Sequence, residues 1–149
     1  MIEYDCIGKY IEESCYAMWI PYEEIRKHPP DFVVRYRFFT AEEGGRKSLP
    51  VQGYRSDFAI EEDFLHDSIN LRVIQPEFED ENATVIRDVT KPVPMSGTAR
   101  MWVLFPESRR RYRETLHVGM TGYFMEDPKK VAETEIIKII GLLANPCIE

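Results

Sequence analysis

Four arginines surround a single tyrosine in one short segment, Arg109-Arg110-Arg111-Tyr112-Arg113. The planar guanidinium of arginine bonds phosphate oxygens at two points, and a tyrosine ring can stack on a base, so this composition suits contact with nucleic acid. A run of this kind is more often a solvated loop. A further alternative is attraction to the acidic run Glu77–Glu81 elsewhere in the chain. The pattern marks the four arginines as candidate RNA- or partner-binding residues and leaves the three alternatives open.

The motifs of common enzymes are missing from the sequence. It has no G-x-x-x-x-G-K-[ST] loop to hold a triphosphate, no G-x-S-x-G and no H-E-x-x-H. Adjacent acids such as Glu42 and Glu43 point to opposite faces of a strand, so they cannot act together as an acid/base pair. His28, His66 and His117 have no cysteine or carboxylate at ligand spacing. We therefore predict a non-enzymatic protein with no catalytic residues, no metal, no cofactor and no GTP binding.

The charge of the chain is unevenly distributed. The net charge of −7 over 149 residues would argue against a nucleic-acid partner if it were spread evenly. Residues 61–88, however, carry nine acids against two bases, whereas residues 31–60 and 89–149 together carry fourteen bases against eleven acids. The acidity therefore lies largely outside the segments that carry the candidate basic residues.

Composition and cysteine content indicate a soluble cytoplasmic protein. A chain of this length is sufficient for one domain with its own core. No apolar run approaches the roughly eighteen residues of a membrane span, and the acidic start does not read as a signal peptide. Cys6, Cys15 and Cys147 are odd in number and contain no CxxC, which favours reduced thiols. We expect no membrane partner.

The elements that must position the candidate residues change type near Asp31. Apolar residues at helical spacing predict a short amphipathic helix over residues 2–17, although Gly8 weakens it, and the Pro29-Pro30 pair suggests a linker. From Asp31 the period is two, as in a half-buried strand. We therefore divide the chain into an N-terminal extension, 1–30, and a β-domain, 31–149, with an acidic insertion near 61–88. The run Glu77–Glu81 is interpreted as a solvated loop, with contact to a basic partner as the alternative.

Several short strands follow, separated by glycine and proline. The candidates after the first strand are Tyr54–Ile60, Ile69–Ile74, Ala83–Arg87, Ala99–Phe105, Thr115–Phe124 and Val131–Ile140. The last of these would also suit a helix by pattern alone. Many short strands of this kind favour a closed or nearly closed antiparallel barrel, which removes exposed edges.

Two stretches carry specific local motifs. The first, Asp31–Ile60, contains the turn Glu43-Gly44-Gly45-Arg46 and the segment beginning Gly53-Tyr54-Arg55. The second, Val93–Ile139, contains GTARMWVLF and KKVAETEIIKI. They resemble the third, C-terminal domain of bacterial elongation factor Tu, in which an EGGR turn precedes a GYRPQF segment. The resemblance implies an all-β fold, a small antiparallel barrel of six or seven strands with a short helical N-terminal extension. It also favours a strand for residues 131–140. The GTPase domain of the elongation factor has no counterpart in this sequence.

The same resemblance implies a binding surface. In the elongation factor this barrel helps to hold the T stem of aminoacyl-tRNA near the EGGR turn, the GYRPQF segment and a later REGGR turn. Arg46 matches the arginine of EGGR, Lys47 follows it, Arg55 matches the arginine of GYRPQF, and Glu126 matches the glutamate of REGGR. The chain departs from the family at Ser56-Asp57 in place of Pro-Gln, and at Asp127-Pro128 in place of the two glycines.

Two functions of different classes follow. The barrel of the elongation factor also packs on that protein's other domains and is docked by its exchange factor. We therefore expect a non-catalytic protein-interaction module linked to translation or its regulation. The alternative is a tRNA- or RNA-stem-binding module that uses Arg46, Lys47 and Arg55, extended by the arginines of 109–113. For Arg46 and Arg55 a purely structural role, bonding strand-end carbonyls beside tight turns, is an equal alternative.

Overall fold

The computed structural model describes residues 3–4, 10–11, 18–65 and 67–148. Two short helices accompany eight strands in these ranges, so the chain is mostly β. The helices are α1 (Tyr22–Arg26) and α2 (Arg109–Thr115). The strands are β1 (Glu3–Tyr4), β2 (Tyr10–Ile11), β3 (Phe32–Phe38), β4 (Asp57–Ile60), β5 (Ile74–Phe78), β6 (Ser96–Val103), β7 (Thr121–Glu126) and β8 (Lys129–Ile139). Single 3₁₀ turns occupy Glu61–Phe64 and Pro106–Ser108.

Six of the strands form one antiparallel sheet in the order β4-β7-β8-β3-β6-β5. Its two edges approach each other where the Phe58 N–H donates to the Arg72 carbonyl (2.9 Å) and the Arg72 N–H donates to the Phe58 carbonyl (2.8 Å). This pair of bonds satisfies backbone groups that an open edge would leave exposed. The prediction of a barrel-like, all-β fold is confirmed at this level.

The core follows from the alternation along β3. Val34, Tyr36 and Phe38 point inward and are buried, whereas Arg35 and Arg37 lie on the outer face. The side chains of the other strands complete the core from the same side of the sheet, among them Phe58, Ile60, Ile74, Phe78, Met101, Val103, Phe124, Ala132 and Ile136. The period-two pattern of the sequence therefore assigns the inward face of β3 correctly.

The segment that suits both a helix and a strand is the strand β8. It lies between β7 and β3 and bonds to both. Its outward residues, Glu133 and Glu135, face Arg37 and Arg35 across the strand pair, with N–O distances of 3.0 Å. Placement between two strands decides the conformation, because helix-compatible residues gain two ladders of backbone hydrogen bonds here.

The N-terminal extension differs from the predicted helix where it is described. Glu3–Tyr4 pairs antiparallel with Tyr10–Ile11, so the backbone is extended at these four residues. Tyrosine and isoleucine favour strands, and Gly8 disfavours a helix between them. The other residues of the helix predicted over 2–17 lie outside the described ranges. Among the described residues of 1–30 the helix is α1, which follows Pro21 and is capped by Lys27 in a left-handed conformation (φ 64°).

The interpretation of Glu77–Glu81 as a solvated loop is wrong for its first three residues. Glu77 and Phe78 belong to β5, and both are buried. The Glu77 carboxylate accepts hydrogen bonds from Trp19 Nε1 (2.7 Å), Trp102 Nε1 (3.0 Å) and the Tyr22 backbone N–H (2.8 Å). Glu79 is also buried and pairs with Arg100 at 2.8 Å. Charged residues are buried here because several donors meet each carboxylate.

Other boundaries also shift. Residues 109–115 form the helix α2, not a solvated loop, and the strand predicted from Thr115 begins at Thr121. The strand predicted over Ile69–Ile74 is displaced to Ile74–Phe78, and in Ala83–Arg87 only an isolated bridge at Val85 forms. The region predicted as an acidic insertion thus supplies an edge strand of the sheet. No ion pair among the described residues joins the arginines of α2 to Glu77–Glu81.

Candidate partner-binding surface

Two residues of the predicted surface, Arg46 and Glu126, meet Tyr54 beyond the end of β3. The Arg46 guanidinium ion-pairs with Glu126, and the Tyr54 hydroxyl donates to the same carboxylate oxygen. The guanidinium also lies 4.9 Å from the centre of the Tyr54 ring, and Arg46 Nε donates to the Ser48 carbonyl at 3.0 Å. This cluster joins the EGGR turn and the GYR segment to the end of β7. The contacts of Arg46 are thus with groups of the chain itself, the kind of contact that the structural alternative from sequence expects.

Electrostatics within this cluster favour the ionised carboxylate. Partial burial by itself raises the pKa of Glu126, but the hydrogen bonds from Tyr54 and Arg46 outweigh burial and hold the pKa below its ordinary value of 4.5. Burial, followed by the hydrogen bond to Glu126, raises the pKa of Tyr54. At neutral pH the cluster is thus a carboxylate held between a guanidinium and a neutral phenol.

The EGGR turn is shaped by its glycines and its glutamate. Gly44 has φ +93°, and a Cβ on Gly45 would lie 2.2 Å from the Phe39 carbonyl oxygen. Both positions therefore favour glycine, the first for its backbone conformation and the second for space. Glu43 accepts from the Thr40 N–H (2.8 Å) and from Arg37 (2.9 Å), and the hydrogen bonds from Arg37 lower the pKa of Glu43 to about 2.

Lys47 and Arg55, which follow Arg46 and Tyr54 in the sequence, are open to solvent. Both residues are exposed, and neither is part of an ion pair among the described residues. Of the residues that the resemblance selects, these two make no side-chain hydrogen bond or ion pair with another residue of the described ranges.

The arginines of α2 divide into buried and exposed members. Arg109 is buried, with its Nε 2.8 Å from an Asp31 carboxylate oxygen and a further bond to the Pro146 carbonyl. Asp31 also accepts from the Val103 N–H (2.8 Å) and from Asn145 Nδ2 (3.0 Å). These contacts tie the start of β3 and the end of β6 to α2 and the C-terminal segment.

The remaining arginines of α2 are less constrained. Arg113 donates to the Leu142 carbonyl (2.7 Å) and the Asn145 carbonyl (3.0 Å). Arg110 and Arg111 are exposed. Only these two therefore keep the solvated character expected for the whole run.

The two sets of candidate residues lie at opposite ends of the sheet. Asp31 immediately precedes β3, and the EGGR turn follows it; seven strand residues at a rise of about 3.3 Å separate the ends by about 20 Å. The α2 arginines consequently do not extend the surface around Arg46. A partner in contact with both would have to span the length of the sheet.

A groove that sequence reasoning missed lies at the α2 end. We call it the α1 groove; it has a volume of about 540 Å³ and is lined by Ile25, Arg26, His28, Leu104, Pro106 and Ile148, with Val103, Arg109 and Pro146. Ile25, Leu104 and Ile148 expose 60%, 38% and 76% of their surface. The one feature of the sequence that could have indicated this groove is Ile25. It is an apolar residue beside Glu23 and Glu24, in the N-terminal extension that was interpreted partly as a linker.

The described residues include no group of three or more His, Cys, Asp or Glu side chains placed to hold a metal ion. Neither described helix has the length and apolar character needed to cross a bilayer.

A scan against known protein families finds no match for this chain, and no curated protein is significantly similar to it. The resemblance to the elongation factor Tu barrel therefore stays a prediction that rests on local motifs.

Proposed function

We propose that this chain is a non-catalytic, cytoplasmic protein-interaction module, similar to the C-terminal barrel of elongation factor Tu and acting in translation or its regulation. The observation that carries the proposal is the α1 groove, in which large apolar side chains are exposed next to one another. Exposed apolar clusters rimmed by polar residues are typical of protein-docking surfaces. Arg26 and His28 supply polar groups within the lining of this groove.

The internal contacts of several basic residues favour a protein partner over RNA. Arg46, Arg109 and Arg113 are bonded to groups of the chain itself. A phosphate would have to displace those bonds, and for Arg109 it would also have to reach a buried group. Three of the seven basic candidates are therefore engaged within the fold, which reduces the cationic surface that RNA binding requires.

The link to translation is supported by the EGGR and GYR motifs, which the Arg46–Glu126 pair and the Tyr54 hydroxyl hold together. The buried ionisable groups, among them Asp31, Glu77 and Arg109, support a non-catalytic role because each is engaged by hydrogen bonds within the fold.

Affinity capture tests the proposal. The full chain is immobilised and exposed to cell lysate with and without nuclease treatment, and retained proteins and RNA are identified. We expect proteins of the translation apparatus to be retained in both samples. Retention of no protein in either sample would overturn the proposal.

A second candidate, binding of a tRNA or RNA stem, is favoured by the exposed side chains of Lys47 and Arg55. It predicts a gel shift with tRNA that weakens steeply with added salt, and a weaker shift for Lys47→Ala and Arg55→Ala with unchanged thermal stability. Lys91→Ala is the matched control, since Lys91 is also exposed and lies outside the matched motifs. The absence of a shift at low salt would exclude this candidate.

A further inference from the structure

The α1 groove combines apolar walls with one cationic side chain. Ile25 from α1, Leu104 from the end of β6 and Ile148 from the C-terminal segment form its exposed apolar surface. Arg26 lies among them and is half-buried. A ligand that fills this groove would remove apolar surface from water and desolvate the guanidinium at the same time.

Arg26 is held in place by uncharged groups. Its guanidinium lies 4.9 Å from the centre of the Tyr22 ring and 5.7 Å from that of Trp102, and Nη1 donates to the Val103 carbonyl at 3.3 Å. No ion pair of the described residues includes Arg26. The side chain is therefore oriented, and no carboxylate of the described residues forms an ion pair with it.

The neighbouring acids are directed elsewhere. Glu23 pairs with Arg100 at 3.4 Å, and Glu24 pairs with Arg87 at 3.2 Å. The other arginine of the groove, Arg109, is neutralised by Asp31. Within the described lining, the uncompensated charge is that of Arg26, and a half-buried cation of this kind favours an anionic ligand group.

We propose that the α1 groove binds a short segment of a partner protein in which an acidic side chain lies between apolar side chains. The carboxylate pairs with Arg26, and the apolar side chains cover Ile25, Leu104 and Ile148. We assign an internal acidic residue and not a chain-terminal carboxylate, because the cation of Arg26 in the lining is a guanidinium, whereas termini are typically captured by clusters of backbone N–H groups. This inference rests on the proposed protein-interaction function and names its site and partner chemistry.

The direct test uses the full-length chain labelled with ¹⁵N and short peptides centred on Leu-Glu-Leu, with Leu-Gln-Leu and Leu-Lys-Leu as comparisons. We expect amide shifts at Ile25, Leu104 and Ile148, and tightest binding for the glutamate peptide. Absence of shifts at these residues with about 1 mM glutamate peptide, or equal affinity for the three peptides, would overturn the proposal.

Variants separate binding from folding. Arg26→Gln should weaken the glutamate peptide about tenfold or more and leave the glutamine peptide nearly unchanged, since one charge-assisted hydrogen bond is worth about that factor. Ile25→Asp should abolish binding, whereas Ile20→Asp, at a residue of nearly equal exposure (58% against 60%) outside the groove lining, should not. Because Ile25 is exposed, its variant remains informative even if Arg26→Gln fails to fold. Equal effects of the two isoleucine variants would contradict the proposal.

Two further outcomes distinguish failure of the groove proposal from failure of the proposed protein-interaction function. If wild type and Ile25→Asp retain the same lysate proteins, the groove proposal fails while the protein-interaction function stands. If wild type retains no protein, the proposed function fails. Concentration-dependent self-association in sedimentation that Ile25→Asp removes would show a second copy as the occupant and would also overturn the groove proposal.

Discussion

At one end of β3 the Arg46–Glu126 pair is partly open to solvent, whereas at the other end the Arg109–Asp31 pair is almost completely enclosed. About a third of the Glu126 side chain is exposed, against none of Asp31. Water can replace a lost partner at the first site but not at the second. The partly exposed pair therefore tolerates changes in its side chains around the EGGR turn. The buried pair instead joins four chain segments firmly at the α2 end.

This difference also separates the candidate binding surfaces. Near the EGGR turn the exposed groups include the cation Lys47 and the apolar side chain of Met95, beside a partly exposed ion pair. At the α2 end the buried pair fixes the floor of the α1 groove, where the open groups are apolar. The proposed groove thus lies at the end that a buried ion pair fixes, whereas the ion pair at the other end is partly exposed.

The largest expected effect is at the enclosed pair. Arg109→Ala leaves Asp31 buried without its cation, which costs about 3–5 kcal/mol in the free energy of unfolding. Urea denaturation measures the loss, with Arg110→Ala, on the same helix but exposed, as the control expected within about 0.5 kcal/mol of wild type. A loss below about 1 kcal/mol for Arg109→Ala would remove the contrast between the two ends.

At the EGGR turn we expect substitution of the glycines to lower the free energy of unfolding more than substitution of Arg46. Gly45→Ala forces a Cβ against the Phe39 carbonyl and should reduce the free energy of unfolding by roughly 2–3 kcal/mol. Gly44→Ala, which meets no atom within 4 Å but requires φ +93°, should cost about 1–2 kcal/mol. Thermal unfolding of both variants gives the order, and the reverse order would contradict the turn geometry.

The open ion pair should contribute much less. Arg46→Ala removes a partly exposed ion pair and one hydrogen bond, for which we expect a loss of about 1 kcal/mol in urea denaturation. Lys47→Ala is the neighbouring control and should be close to neutral. If Arg46→Ala were as damaging as Arg109→Ala, exposure would not be what distinguishes the two ends.

The smallest effect is a pH dependence at the open end. Because the folded-state pKa of Glu126 lies below its ordinary value of 4.5, the folded state holds fewer protons than the unfolded state between the two values. The contribution of Glu126 is therefore present above pH 4.5 and is lost as the pH falls through the lowered pKa. Thermal midpoints recorded from neutral to acidic pH should fall less steeply for Glu126→Gln, and identical slopes would show that this carboxylate is not a source of acid sensitivity.

Much of the sheet was predictable because its signals are local. The alternation in residues 33–38 identified the inward face of β3, and the predicted strand at Ala99–Phe105 overlaps β6. The α2 helix was missed because four arginines within five residues resemble a solvated surface. The sequence gives no sign that one of them faces a buried carboxylate.

The candidate sites were less predictable because the residues that form each of them are far apart in the sequence. Asp31 and Arg109 are 78 residues apart, and Glu77 meets Trp19 across 58 residues. The α1 groove likewise combines residues from α1, the end of β6 and the C-terminal segment, each of which is unremarkable in its own stretch.

The amino-acid sequence by itself determined the strand periodicity, the glycines of the EGGR turn and the uneven distribution of charge, since these depend on neighbouring residues. Only the tertiary structure decided which charges are buried and paired and which apolar residues stay exposed. The physical reason is that desolvation and its compensating hydrogen bonds depend on which distant groups the closed sheet brings together.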